Sequence, residues 1–381
     1  MIYNNFKLKL IVPCKFEVCY PYGQIHNPIY HLPYGMGILT TFLRQHNYYV
    51  EQEDLDVRFS RYKKSFLKTL RSQHIDLDID KYWEEIQMFF KSGEIAGKLS
   101  LLIDKTFDLA SVEGFDIIGF SIFSYSHFFF ALLLAKRIRQ KTNAPIVFGG
   151  VFISLYGQLY PQAFDSIDYM IVGDGRIPLL QLIGYLNHKI AISEVPNLIY
   201  KDNGKLITNP KETYPIEDIP MPDFSDLSLK LYKTQYFSFL GDSFTLPYPY
   251  QVSRGCAGRC SFCSRSLIYD KLEFKSHNKV ITELNQMMET YKSKRFYFCD
   301  NAINNSYQYL EGLCDNFIKH KINIYWDVYA KVGNLDKHIL RKMKKAGCNW
   351  LVWGIESGSD RILEMMNKGF SSEQASQTLR D

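Results

Sequence analysis

Three closely spaced cysteines are the residues of this sequence best suited to chemistry. The segment SRGCAGRCSFC places Cys256, Cys260 and Cys263 within eight positions, directly after an apolar strand candidate. Eight cysteines in 381 residues are too few for a disulfide scaffold, so their close spacing indicates metal binding instead. Three thiolates on one flexible loop can hold three irons of a cubane cluster, and we therefore interpret this loop as an iron–sulfur site.

Two other interpretations of these thiols stay open. A structural zinc site needs a fourth ligand, and His277 or Cys299 could supply it, although neither has the paired spacing typical of zinc sites. The three thiols could also be inert. The remaining cysteines, at positions 14, 19, 314 and 348, show no such spacing, and we expect them in core or loop positions.

Composition and charge are those of a globular protein of two or three domains. The chain is 46% hydrophobic and 22% charged, and its 45 Lys and Arg residues stand against 40 Asp and Glu. The net charge is only +5 without long runs of like charge, which argues against a dedicated nucleic-acid binder. Residues Met1 to Lys7 lack the basic and apolar regions of a signal peptide, so we expect a cytoplasmic protein.

The first 210 residues alternate between short apolar segments and helical repeats. This alternation predicts an α/β domain, residues 1–210, with a Rossmann-like, doubly wound parallel sheet whose ligands bind beyond the carboxyl ends of the strands. The predicted strands are residues 9–13, 48–51, 115–121, 145–150 and 169–173, and the predicted helices are 35–46, 128–139 and 178–186. The stretch Phe115 to Ala135 is long enough to cross a bilayer, but polar residues interrupt it, and we predict a strand, a loop and a helix rather than a membrane span.

A second run of strands and helices follows a proline-rich connector, residues 211–246. From residue 247 onwards the pattern predicts four strand–helix units, which are the first units of a parallel (β/α) barrel that is incomplete at residue 381. The predicted strands are residues 250–253, 295–299, 323–329 and 350–355, and the predicted helices are 278–291, 307–320, 336–346 and one from 359.

At the cysteine loop the sequence resembles the radical S-adenosylmethionine (SAM) enzymes. Their motif is CxxxCxxC, often with an aromatic residue before the last cysteine, here Phe262. The resemblance implies a 4Fe-4S cluster on the three cysteines, with one iron left open for the amino and carboxylate groups of SAM. It implies that Phe262 lies beside SAM. It also implies reductive cleavage of SAM to a 5′-deoxyadenosyl radical, with electrons from an external donor such as flavodoxin or ferredoxin.

Three further segments are similar to motifs of the same family. The segment GIESGS, residues 354–359, implies that Glu356 faces the SAM pocket, whereas Ser357 and Ser359 either contact the cofactor or cap a helix. Asp300 ends the second barrel strand where relatives have acidic or polar residues near the amino group of SAM, and its alternative role is a turn or helix cap. Lys331 stands where many relatives carry Arg and faces either the carboxylate of SAM or solvent.

The N-terminal domain is similar to the cobalamin-binding domain of cobalamin-dependent radical SAM enzymes. The similar segments are residues 32–50, 116–121, 148–150 and 172–175. Glycine lets the backbone approach a large corrinoid, and the alternative is that these glycines only form tight turns. The resemblance implies cobalamin contacts at Ser121, Gly149, Gly150, Gly173, Asp174 and Gly175.

Two features depart from the family pattern. The segment Gly173 to Arg176 has Asp and Arg where a GEGE pattern has two Glu residues. The DxHxxG motif, whose His ligates cobalt, is absent, and a lone loop histidine such as His26, His31 or His127 is more often solvated or hydrogen-bonded than a ligand. We therefore expect a lower cobalt face that is free or water-bound.

Taken over roughly residues 8 to 380, the resemblance implies a cobalamin-dependent radical SAM enzyme that methylates an unactivated carbon. The alternatives are a cobalamin-independent radical SAM enzyme and a noncatalytic carrier of cofactors. The substrate could be a small molecule, a lipid or a peptide. Relatives continue where this sequence ends, so we expect a truncated barrel, which is either an inactive gene fragment or completed by a partner chain.

Overall fold

The computed structural model describes residues 4–14, 31–58, 82–95, 97–107, 110–232, 246–269 and 271–380. The chain forms two compact units. The first comprises residues 1–213 and 222–244, and the second comprises residues 214–221 and 245–381. The predicted connector, residues 211–246, is thus shared between the two units.

The first unit is built on a seven-stranded sheet with the order β2-β1-β3-β4-β5-β6-β7. Its strands are β1 (Asn4–Val12), β2 (Tyr48–Asp54), β3 (Ile117–Ser121), β4 (Ile146–Gly149), β5 (Tyr169–Ile171), β6 (Leu198–Asp202) and β7 (Lys205–Thr208). The pairs among β1 to β5 are parallel, and the direction of winding reverses between β1 and β3. This order confirms the predicted doubly wound Rossmann-like fold and places its switch point at the carboxyl ends of β1 and β3.

Helices cover this sheet because the connections between parallel strands must cross over it. They are α1 (Tyr34–Gln45), α2 (Trp83–Ser92), α3 (Gly97–Phe107), α4 (Tyr125–Ile138), α5 (Val151–Tyr156) and α6 (Arg176–Leu186). Helix α4 is buried along most of its length, and its residues Phe128, Phe129 and Phe130 lie in the main hydrophobic core. The stretch from 115 to 135 is therefore a strand, a loop and a core helix, as predicted.

Strands β6 and β7 are an addition to the predicted sheet, and they run antiparallel. Asn203 and Gly204 form the turn between them, with φ values of 47° and 77°. An Asn-Gly pair in this left-handed region is the usual connection of a two-residue hairpin. The Asn203-Gly204 pair is therefore a sequence feature from which this hairpin, residues 198–208, could be predicted.

The segment from Pro222 packs onto the first unit. Arg44 of α1 donates to the carboxylates of Asp223 and Asp226 at 2.6 and 2.7 Å. Phe224 and Tyr232 are almost completely buried, and the Tyr232 hydroxyl donates to Asp54 at 2.7 Å. These contacts explain why most of the predicted connector belongs to this unit.

The second unit contains a four-stranded parallel sheet with the order β13-β12-β11-β8. Its strands are β8 (Tyr248–Tyr250), β11 (Arg295–Phe298), β12 (Tyr325–Ala330) and β13 (Cys348–Trp353), and its helices are α7 (His277–Tyr291), α8 (Tyr307–Lys319), α9 (Lys337–Lys345), α10 (Asp360–Met365) and α11 (Ser372–Arg380). Side chains on one face of this sheet are buried, and the rings of Phe298 and Trp326 stack there with their centroids 5.0 Å apart. On the other face Tyr329 and Trp350 remain 43% and 41% exposed. The described strand–helix units therefore have the order of the opening part of a (β/α) barrel.

A short antiparallel pair, β9 (Ser253–Arg254) and β10 (Glu273–Phe274), closes the loop that carries the three cysteines. Helices α7, α8 and α9 begin at Ser276, Ser306 and Asp336, whose side chains accept the cap hydrogen bonds. Within the described part of the chain, no helix combines the length and the apolar character that a bilayer crossing requires.

Candidate functional site

The cysteine loop, residues 255–272, leaves the sheet at the carboxyl end of β8 and returns through β10. Cys256, Cys260 and Cys263 are half-buried thiols. The N–H of Gly258 donates to Cys256 Sγ at 3.3 Å. A Cβ on Gly258 would lie 3.4 Å from Cys256 Sγ and 3.9 Å from Cys260 Sγ, so the missing side chain leaves the space between these two thiols open.

The geometry of the loop bears on which inorganic group it suits. Among the described residues, no group of three or more His, Cys, Asp or Glu side chains converges as ligands of a single metal ion. A tetrahedral zinc ion needs four such ligands at about 2.0–2.3 Å. Each thiolate on a cubane cluster binds a different iron, so the thiols need not meet at one point. Half-buried thiols that do not converge on a single point therefore fit a cluster better than a structural zinc ion.

Two asparagines after β11 hold the first part of the cysteine loop. The side-chain amide of Asn301 donates to the Gly255 carbonyl at 3.0 Å, and the side-chain oxygen of Asn305 accepts from the Ala257 N–H at 3.0 Å. Gly255 has a φ of 93°, and a side chain there would collide with the Lys271 backbone on the returning side of the loop. Sequence reasoning missed both asparagines because their partners lie more than forty positions away in the chain.

Asp300 is buried beneath this loop, with only 1% of its surface exposed. Its carboxylate accepts hydrogen bonds from the N–H groups of Val252 and Ser253 and from the Ser253 hydroxyl. Burial raises the pKa of Asp300 to about 6, although the bonds from residues 252 and 253 work in the opposite direction. The structure thus gives Asp300 the part of a positioning residue, and the predicted contact with SAM stays a prediction.

Glu356 and Phe262 are brought together by a lysine that the sequence analysis did not single out. Lys368 Nζ lies 3.6 Å from Glu356 Oε1 and 5.6 Å from the centre of the Phe262 ring. Glu356 follows β13 with a φ of 71° and keeps 43% of its side chain exposed. Ser357 accepts from the Ser359 N–H at 3.1 Å, so its hydroxyl stabilises the turn that precedes α10.

Lys331 lies in the loop after β12, where Asn304 holds its backbone. Asn304 is fully buried, and its side chain donates to the carbonyls of Lys331 and Gly333 at 2.8 and 2.6 Å and accepts from the Lys331 N–H at 3.1 Å. Asn304 therefore ties the loops that follow two neighbouring strands. Lys331 is half-buried, and its predicted contact with the carboxylate of SAM stays a prediction.

In the first unit, Ser121, Gly149 and Gly150 lie together at the carboxyl edge of the sheet. Ser121 pairs with Gly149, and the Ile122 N–H donates to the Gly149 carbonyl at 2.8 Å. Gly150 has a φ of 102°, and a Cβ there would lie 2.5 Å from the Ile122 carbonyl oxygen. Packing of the chain itself therefore requires glycine at 150, whereas Gly149 has its nearest neighbour, the Ile171 carbonyl, at 3.8 Å.

The next turn along this edge contains Gly173, Asp174 and Gly175. Gly173 has a φ of 75°, and its N–H donates to the Ser154 hydroxyl at 2.8 Å. Arg176 is buried and donates to both oxygens of Asp174, through Nε at 3.0 Å and Nη2 at 2.8 Å. The departure from GEGE thus has a structural consequence, because Arg176 engages the carboxylate that the resemblance assigns to the cofactor.

The histidines considered as cobalt ligands lie in different environments. His127 is buried in α4, and its Nδ1 accepts from the Phe123 N–H at 3.3 Å. His31 is exposed just before α1, and His26 lies outside the described residues. For His127, burial and this backbone hydrogen bond are typical of a histidine with a structural role.

Comparisons with known proteins agree with this geometry. Residues 250–381 match the Radical SAM superfamily. The chain is 28% identical over 246 residues to an uncharacterized methyltransferase of Pyrococcus horikoshii, covering 64% of this chain and 51% of that protein. It is 22% identical over 387 residues to the cytidylyl-2-hydroxyethylphosphonate methyltransferase of Streptomyces wedmorensis, covering 91% and 66% respectively. The chain thus spans about half the length of the first of these relatives and about two thirds of the second.

Two solved structures share the fold. The cobalamin-dependent radical SAM enzyme OxsB, with aqua-cobalamin and SAM bound, matches with a TM-score of 0.66 and 20% identity over 97% of this chain and 46% of OxsB. The radical SAM methyltransferase TsrM of Kitasatospora setae matches with a TM-score of 0.67 and 17% identity over 98% of this chain and 65% of TsrM. Residues 250–381 thus match the radical SAM superfamily, and the chain shares the fold of OxsB and TsrM.

Proposed function

We propose that this chain belongs to an enzyme that binds a 4Fe-4S cluster, SAM and cobalamin and methylates an unactivated carbon. The observation that supports the proposal most directly is the cysteine loop. Its three thiols are half-buried, Gly258 leaves the space between Cys256 and Cys260 open, and the loop lies at the carboxyl edge of a parallel sheet, where ligands of such sheets bind. Cys256, Cys260 and Cys263 would hold the cluster, and Phe262 and Glu356 would adjoin SAM.

The bound groups would supply one-electron cleavage of SAM and a transferable methyl group. The residues of the chain would bind and orient them. Asp300, Asn301 and Asn305 hold the cysteine loop against the sheet, and Glu356 presents a carboxylate at the end of β13. Preorganisation of this kind keeps reacting groups at the separation that the reaction needs.

The first unit would receive cobalamin. Three observations support this part of the proposal: the switch point of the parallel sheet, the absence of a close contact at Gly149, where a Cβ would have its nearest neighbour at 3.8 Å, and the fold shared with OxsB, whose solved structure contains aqua-cobalamin. Ser121 and the turn from Gly173 to Gly175 lie along the same edge. The whole protein would act on a small molecule, a lipid or a peptide, and it would receive electrons from an external donor.

The test of the radical SAM part uses the full chain after anaerobic reconstitution with iron and sulfide. We expect absorbance of a 4Fe-4S cluster and, with SAM and dithionite, formation of 5′-deoxyadenosine. Cys256→Ala, Cys260→Ala and Cys263→Ala should each abolish both signals, whereas Cys314→Ala, a core cysteine in α8, should retain them. Retention of the cluster and of deoxyadenosine formation in any of the first three variants would contradict the ligand assignment.

The test of the cobalamin part is an anaerobic titration of the full chain with hydroxocobalamin, read from absorbance after desalting. Stoichiometric retention is expected, and transfer of isotope-labelled methyl from SAM into a product would support methylation. Deoxyadenosine without corrinoid retention would favour a cobalamin-independent enzyme. Corrinoid retention without SAM cleavage would favour a carrier of cofactors.

A further inference from the structure

The last residue of α10 and the three residues after it contact the cysteine loop from the far edge of the sheet. We call this segment, Met365 to Lys368, the clamp. The Ser261 N–H donates to the Met366 carbonyl and the Ser261 hydroxyl to the Met365 carbonyl, both at 3.0 Å. The Asn367 side chain donates to the Arg259 carbonyl at 2.8 Å. These bonds lie on both sides of Cys260.

Lys368 is the charged end of the clamp. Only 7% of its side chain is exposed, and its ammonium lies 5.6 Å from the centre of the Phe262 ring and 5.7 Å from that of Phe370. A buried ammonium needs an opposite charge or aromatic faces to offset its lost hydration. Glu356, with Oε1 at 3.6 Å, provides the opposite charge.

The position of Glu356 depends on this contact. Its backbone lies in the left-handed region, which is unusual for a residue with a side chain, and its carboxylate is partly exposed. Gly354 leaves room for the pair, since a Cβ there would lie 3.4 Å from Glu356 Oε1 and 3.7 Å from Lys368 Nζ. An exposed carboxylate without a partner would sample several directions, whereas one beside a buried ammonium has a preferred direction.

We propose that Lys368 is a positioning residue that couples the end of β13 to the cysteine loop by holding Glu356 and Phe262 in one arrangement. The proposal deepens the proposed function and rests on it for its meaning, because Glu356 and Phe262 are the residues expected beside SAM. Lys368 itself takes no part in bond making. Its loss should loosen the cysteine loop before any cofactor is added and should weaken SAM binding afterwards.

The first test is hydrogen–deuterium exchange of the full chain without cofactors. Lys368→Met should speed exchange of peptides that cover residues 256–268 by about tenfold or more, and leave peptides from β12 unchanged. The matched control is Lys345→Met, an exposed lysine at the end of α9, which should behave as wild type. Unchanged exchange in the cysteine loop of Lys368→Met would overturn the proposal.

Two further variants decide the result if Lys368→Met is unstable. Asn367→Gly removes the bond to Arg259 while remaining compatible with the φ of 52° at this position, and it should also speed exchange of the cysteine loop. Lys368→Arg keeps the charge and the aromatic contacts and should restore most of the protection. Wild-type protection of the loop in Asn367→Gly would contradict the role of the clamp.

The second test measures SAM affinity of the reconstituted chain through the change that SAM causes in the EPR spectrum of the reduced cluster. Lys368→Met should keep its iron content and bind SAM about tenfold more weakly. Because Lys368 acts through Glu356 and Phe262, adding Lys368→Met to the double variant Glu356→Gln with Phe262→Leu should not weaken SAM binding further, whereas an additional loss would overturn the proposal. Failure of the wild-type chain to bind iron would count against the proposed function, and the exchange experiment would still decide the role of the clamp.

Discussion

The carboxylate of Asp300 accepts two hydrogen bonds from Ser253, one from its N–H and one from its hydroxyl, both at 2.5 Å. Asp300 follows β11, and Ser253 begins β9, three positions before Cys256. The second oxygen of the same carboxylate accepts from the Val252 N–H at 3.2 Å. One buried side chain thus joins the end of a barrel strand to the entrance of the cysteine loop.

Asp300 should make stability depend on pH. Burial raises the pKa of its carboxyl from 3.8 to about 6, so the folded chain binds this proton more tightly than the unfolded chain does. The contribution of protonated Asp300 to the free energy of unfolding is fully present below a pH of about 4 and is lost as the pH rises through about 6. Relative to Asp300→Asn, the wild-type free energy of unfolding should therefore fall over this range by at most about 1.4 kcal/mol per pH unit.

The measurement is urea unfolding followed by circular dichroism at several pH values. Asp165→Asn, at an aspartate with 70% of its side chain exposed, is the control and should follow the wild-type pH curve. Parallel curves for the wild type and Asp300→Asn would contradict the prediction.

Asn304→Ala should destabilise the second unit. The substitution leaves two carbonyls and one N–H, at Lys331 and Gly333, without the partner that the buried Asn304 side chain provides. Each of the three lost hydrogen bonds is worth about 0.5–1.5 kcal/mol net, so we expect a loss of about 2–4 kcal/mol. Asn278→Ala, at an exposed position in α7, should change the free energy of unfolding by less than about 0.5 kcal/mol. Similar unfolding midpoints for the two variants would show that Asn304 does not hold these loops.

Gly258→Ala should impair cluster binding without unfolding the chain. The new methyl would meet Cys256 Sγ at 3.4 Å and Cys260 Sγ at 3.9 Å, which are ordinary contacts for the protein but occupy the space between the two thiols. We expect about tenfold faster loss of iron to a chelator, measured by absorbance, and a nearly unchanged free energy of unfolding. Gly35→Ala, where a Cβ meets nothing within 4 Å, is the control. Iron retention equal to that of the control would argue against the thiol space as the cluster site.

Gly149 and Gly150 should respond differently to alanine. At Gly150 the new Cβ would lie 2.5 Å from the Ile122 carbonyl at a φ of 102°, so we expect a loss of more than about 2 kcal/mol in the free energy of unfolding of the first unit. At Gly149 the nearest atom is 3.8 Å away, and the variant should fold normally. Gly149→Ala is therefore the variant with which to measure hydroxocobalamin affinity. A stable Gly150→Ala would mean that the turn can rearrange.

Much of the fold could be predicted because its determinants are local. The apolar runs of β3 and β4 are continuous in sequence, as parallel strands buried between helices require. The thiol spacing in the cysteine loop is equally local, and it matches a family domain over residues 250–381. The hairpin of β6 and β7 was readable from Asn203-Gly204 by the same kind of reasoning.

Contacts between distant residues could not be read in this way. Lys368 and Phe262 are more than a hundred positions apart, and no spacing pattern distinguishes Lys368 from the lysines that α9 exposes to solvent. The need for glycine at 150 depends on the Ile122 carbonyl of a neighbouring strand end, and the engagement of Asp174 depends on the burial of Arg176.

The sequence by itself determined the strand–helix order, the cysteine loop and the match of residues 250–381 to the radical SAM superfamily, because apolar periodicity and ligand spacing act over a few residues. Only the tertiary structure decided which polar side chains hold the loops at the carboxyl edge of the second unit's sheet. Asp300, Asn304 and Lys368 acquire their roles from burial and from partners that the parallel sheet brings to its carboxyl edge, and those partners are set by the packing of the whole unit.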